Sequence, residues 1–105
     1  MTMQDLETTV QELRIETHHR PFTHKLALVV TAIGAIPDNP PAGFSEQTLV
    51  RLRELAEETV EAIEQRIDSG GDDIDVQQKL AGTVYEVRKR MEDVEIWFRH
   101  NTTSR

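Results

Sequence analysis

Three histidines, His18, His19 and His24, fall within seven residues around Pro21. Imidazoles bind transition metals and exchange protons near neutral pH. Glu16 and His19 are spaced as Glu-x-x-His, which puts both on one helical face. Di-iron four-helix proteins use that spacing twice, with further carboxylates, and this chain has no second copy of it. His19 and His24 are five residues apart, which suits neither one helix face nor a closed zinc site. Solvated or capping histidines are the expectation. Glu16, His19 and His24 are the residues a metal would take.

A second constellation is a carboxylate row. Glu57, Glu58 and Glu61 read Glu-Glu-x-x-Glu, with Glu54 and Glu64 on either side. Spacings of three and four bring such groups together on a helix, where they could hold magnesium against a neighbouring helix. The row is similar to that of all-α nucleotide pyrophosphatases of the MazG kind, which add a Glu-x-x-Asp on the following helix. Here Asp93 has Arg90 three residues before it, and the following helix offers Glu86, Glu92 and Glu95 instead. The apolar stripe through Val60 and Ile63 turns most of the row outwards, so a solvated face is expected.

The Asp-rich turn from Asp68 to Asp75 has a calcium-like composition. An EF-hand needs Gly at its sixth position and Glu at its twelfth; counted from Asp68 these are Asp73 and Lys79. Helix capping accounts for the acids better. Arg88-Lys89-Arg90 could receive an acidic partner or a phosphate, but it also reads as a polar face opposite Val87, Met91 and Val94. There is no Gly-rich phosphate loop and no Ser/His/Asp nucleophile arrangement. Ser45 and Ser69 fall where helix ends need caps. No catalytic residue and no cofactor are expected.

Composition narrows the class. The 105 residues include 37% apolar and 30% charged residues, 5 Gly, 4 Pro and no Cys. That balance suits one globular domain rather than a linker or disordered chain. Without Cys, thiol chemistry, iron–sulfur clusters and Cys-type zinc sites are excluded. A net charge of −7 disfavours binding to a polyphosphate backbone, so no nucleic-acid partner is expected. The charge is uneven: residues 45–75 carry ten acids against three bases, and residues 76–105 carry six bases against four acids. The most apolar stretch, Leu26 to Ile36, is too short to span a membrane. The acidic N-terminal segment lacks secretory character. A cytoplasmic protein without membrane contact is expected.

The elements that must carry these residues read as helices. Met3, Leu6, Val10 and Leu13 form one stripe behind a Thr2 cap. Residues 22–36 are apolar almost all round, which predicts a short helix buried at the bundle centre or against a second subunit. Pro37, Pro40 and Pro41 make the next segment a rigid connection. Ser45 caps a third helix running to about Asp68, with Leu49, Leu52, Ala56, Val60, Ile63 and Ile67 as its stripe. Gly70 and Gly71 end it. The fourth helix runs from about Val76 to His100 on Val76, Leu80, Val84, Val87, Met91, Val94 and Phe98. Asp72, Asp73 and Asp75 are its possible caps, Asp75 in reciprocity with Gln78.

The fold expected is all-α: a small bundle of about four helices with a long antiparallel C-terminal hairpin. Residues 1–100 form one domain and 101–105 a frayed polar tail. Ile15, Ile96 and Trp97 fall off the stripes. With Phe98, Arg88 and Arg90, Ile96 and Trp97 form the expected partner-binding residues. The leading functional expectation is a regulatory or adaptor protein acting through protein–protein contacts, with itself as a homodimer and with another protein. The alternative is a magnesium-dependent nucleotide pyrophosphohydrolase-like or metal-binding helical protein.

Overall fold

The first, third and fourth helices begin where a short polar side chain satisfies a free N–H group of the first turn. The computed structural model describes residues 2–17 and 21–103, with side chains up to residue 101. Helix α1, Met3–Ile15, is capped by Thr2, whose hydroxyl accepts from the Asp5 N–H while the Asp5 carboxylate accepts from the Thr2 N–H. Helix α2, Phe22–Ala35, starts after Pro21 with no side-chain cap. Helix α3, Glu46–Asp68, is capped by Ser45 in reciprocity with Thr48. Gly70, at φ +73°, takes the left-handed conformation that turns the chain out of α3. Helix α4 is Ile74–Thr103.

Of the three aspartates expected as possible caps of α4, Asp73 accepts from the first-turn N–H of Val76. Asp72 is not free for capping because Arg66 engages both its carboxylate oxygens. At the other end α4 passes His100 and continues to Thr103, so residues 101–103 are helical rather than frayed tail. The Asn101 amide donates to the Trp97 carbonyl one turn back.

The architecture is an all-α bundle. Helix α1 packs on α2 and α3, and α4 packs on α2 and α3. Ion pairs set the directions. Glu7 meets Arg51 and Arg14 meets Glu58, so α1 and α3 run parallel. Arg53 meets Glu95 and Arg88 meets Glu57, so α3 and α4 run antiparallel. Two antiparallel hairpins are thus laid side by side, and the connection from Ile36 to Ser45 crosses the bundle diagonally. Its prolines suit that strap, and Phe44 closes it against Trp97 and Phe98.

The core is continuous. Val10, Leu13, Val29, Leu52, Leu55, Ile63, Val87 and Val94 lose all or nearly all contact with solvent. Burying such a side chain stabilises by about 1.5–3 kcal/mol. Helix α2 corrects the expectation of a centrally buried element. Phe22, Leu26, Val29, Val30 and Ile33 face inwards, but Ala27, Thr31 and Ala35 are exposed and Leu28 is 42% exposed. It is a peripheral helix whose outer face is unusually poor in charge.

Candidate functional site

The ionic side chains are spent on holding helices together. Glu58 accepts from Arg14 and Arg51, and Arg51 also reaches Glu7 and Glu54. The hydrogen bond that Arg51 donates to Glu7, then the charge of Glu7, raises the Arg51 pKa above its ordinary value. Lys25 lies between Glu12 and Glu16, and the hydrogen bonds it donates to these two, Glu12 foremost, raise its pKa. Arg66 is the densest node. It forks onto Asp72 at 3.0 and 3.1 Å, donates to the Thr17 carbonyl at 3.2 Å, and stacks over Phe22 with 5.1 Å to the ring centroid.

This placement bears on each residue singled out from the sequence. In the carboxylate row, Glu58 is half-buried under two arginines, while Glu57 and Glu61 are exposed on the outer face of α3. Glu57 comes to 4.0 Å from Arg88 on α4. A carboxylate flanked by two guanidiniums is a poor magnesium ligand, because the cations already neutralise it. Glu16 is engaged by Lys25, His24 is exposed, and His18 and His19 lie outside the described residues. Among the described residues no group of three or more His, Asp or Glu is arranged to hold a metal ion.

The expected partner-binding residues separate into two sets. Trp97 and Phe98 are half-buried, packed on each other and on Phe44, with ring centroids 5.4 Å apart for Phe44 and Trp97. They cover the end of their own bundle. Ile96 is 44% exposed. Arg88 and Arg90 are exposed, and Arg90 lies 3.7 Å from Glu86 on its own helix.

The surface is not uniform around the bundle. Interhelical ion pairs cross the α1–α2, α1–α3 and α3–α4 seams. Among the described residues none crosses the α2–α4 seam, where α2 supplies only His24 and Lys25 as basic groups and no acid. A groove of about 490 Å³ opens there, with Leu26, Val30, Val76 and Leu80 in its lining and Lys79 and Glu86 beside them. On the outer side of α4, Ile74 is 69% and Tyr85 72% exposed, in company with Ile96. The sequence reading found Ile96 and missed Ile74 and Tyr85. Their signal was available: both are large apolar groups lying on the side of α4 away from its buried stripe.

No helix among the described residues is long and apolar enough to cross a membrane. Comparison of the chain with protein-family models, with curated proteins and with solved structures gives no significant match to any of them.

Proposed function

We propose that this is a small helical binding protein of regulatory or adaptor type that associates with itself and acts through protein–protein contacts. One observation carries the reading: among the described residues four of the six exposed large apolar side chains, Leu28, Ile74, Tyr85 and Ile96, lie on α2 and α4, the other two being Ile15 on α1 and Val50 on α3. Large apolar groups left exposed on a small protein mark interaction surfaces. Pairing of two identical chains is the commonest way to cover them.

Concentration-dependent NMR tests this directly. Between about 20 μM and 1 mM, amide shifts should move on the outer faces of α2 and α4 and stay fixed on the outer face of α1. Sedimentation equilibrium over the same range should give a mass rising above 12.0 kDa. A constant mass of one chain with no moving resonances would remove the reading.

A further inference from the structure

Ile74, Tyr85 and Ile96 are spaced eleven residues apart along α4. Eleven residues advance a helix by just over three whole turns, so all three fall close to one line on its surface. That line lies opposite the buried stripe of Leu80, Val87, Met91 and Val94. Spaced equally, they are symmetric about Tyr85. Resting on the self-association proposed above, we infer that the partner on this line is a second copy of the chain, with the two α4 helices antiparallel and the two-fold axis at Tyr85.

The apolar residues match one another in that arrangement, and the charges between them decide against the parallel, in-register one. Tyr85 meets Tyr85 of the second copy, and Ile74 meets Ile96 of the second copy at both ends. Between them Gln78 faces Glu92 of the second copy, and Ala81 and Gly82 face Lys89 and Arg88 of the second copy. No like charges are opposed along the line. Gly82 leaves open space beside Tyr85, since a Cβ there would meet nothing within 4 Å. A parallel, in-register pair would instead set Lys89 against its own copy and Glu92 against its own copy.

The size of the contact sets its strength. From Ile74 to Ile96 the line is about 33 Å long, and a helix covers a strip about 10 Å wide. The helix pair thus buries on the order of 700 Å² in total, below the roughly 1,200 Å² of stable complexes. A dissociation constant on the order of 100 μM is expected. Each copy carries a net charge of −7. Salt therefore screens a repulsion, so the dimer should tighten several-fold between about 10 and 300 mM NaCl. An interface held by ion pairs would weaken over the same range.

The chain has no Cys, so introduced thiols report the geometry without ambiguity. At about 200 μM with copper–phenanthroline, Tyr85→Cys should form a disulfide-linked dimer rapidly. Ile74→Cys and Ile96→Cys alone should not, because the axis places each about 33 Å from its own copy. An equimolar mixture of those two variants should cross-link. Gln65→Cys, exposed on α3, is the control for random collision. In the Cys-free chain, Tyr85→Arg sets two like charges at the axis and should weaken association at least tenfold, with the circular-dichroism melt unchanged. The inference is overturned if Tyr85→Cys links no faster than Gln65→Cys, or if Ile74→Cys links to itself. If the wild-type mass rises with concentration yet this cross-linking pattern is absent, this surface is wrong while the self-association reading stands. If the wild-type mass never rises, both fall.

Discussion

Replacing Arg66 by Ala removes the node that ties the end of α1, the start of α2 and the α3–α4 turn. The Arg66 and Asp72 side chains are only 14% and 16% exposed, so water screens the pair weakly compared with an open surface pair. Hydrogen bonds to charged groups contribute about 1.5–3 kcal/mol each when lost singly. The stacking over Phe22 adds about 0.5–1 kcal/mol. These contributions overlap, and Asp72 can recover some hydration, so the loss should be about 2–3 kcal/mol. An unfolding entropy near 2.1 cal/mol/K per residue turns that into a fall in Tm of about 10 °C. Differential scanning calorimetry at neutral pH reads it. Arg53→Ala breaks the pair with Glu95, where the arginine is 49% exposed, and should cost under about 1 kcal/mol. A double-mutant cycle on Arg66→Ala and Asp72→Ala should give a coupling above about 1 kcal/mol. If Arg66→Ala lowers Tm no more than Arg53→Ala, or if the cycle shows no coupling, the node does not hold the helices and the reasoning fails.

Further tests address the other joints. Phe44→Ala should expose Trp97, shifting its fluorescence to longer wavelength and lowering stability by about 2 kcal/mol; unchanged emission would show that the strap does not cover Trp97. Gly34→Ala brings a methyl group to 3.1 Å from the Arg90 side chain. Arg90 is exposed and can swing away, so the gain of about 0.5–1 kcal/mol from replacing a mid-helix glycine should prevail, read as a higher denaturant midpoint. Lys25 has its pKa raised in the folded state by Glu12 and Glu16. Its contribution is complete below the ordinary lysine value of about 10.4 and is lost as pH rises through the folded value. Wild-type Tm should therefore fall more steeply than that of Lys25→Met above pH 10.

Helix spans were legible where local chemistry decided them. Ser45, the stripe from Leu49 to Ile67, and Gly70 bound α3 by caps and periodicity alone. Which of Asp72, Asp73 and Asp75 caps α4 was not legible, because three neighbouring aspartates satisfy the same local rule. Arg66, a long-range partner, decides among them by engaging Asp72. That α2 lies at the edge of its own bundle was not legible for a related reason: an apolar run reports what a helix could bury, and only the packing around it decides what it does bury. The same holds for Glu58. Its row looked like a metal ligand set or a solvated face, whereas Arg14 arrives from α1, a position that sequence spacing does not connect, and joins Arg51 two turns earlier on α3. Ile74 and Tyr85 were not legible as a pair because they lie eleven residues apart, and their shared line on α4 emerges only over three turns.

The diagonal strap has a consequence for how the chain folds. Each hairpin is built from neighbours in sequence, so α1 with α2, and α3 with α4, can form through short loops at little entropic cost. The parallel contacts between hairpins, such as Arg14 with Glu58, close far larger loops and reward the chain only after both hairpins exist. The rate-limiting event is then expected to be the docking of one preformed hairpin on the other. Core substitutions facing across the hairpins, at Val29 or Val87, would change the unfolding rate more than the folding rate if docking is late. Substitutions inside the α3–α4 turn would slow folding itself.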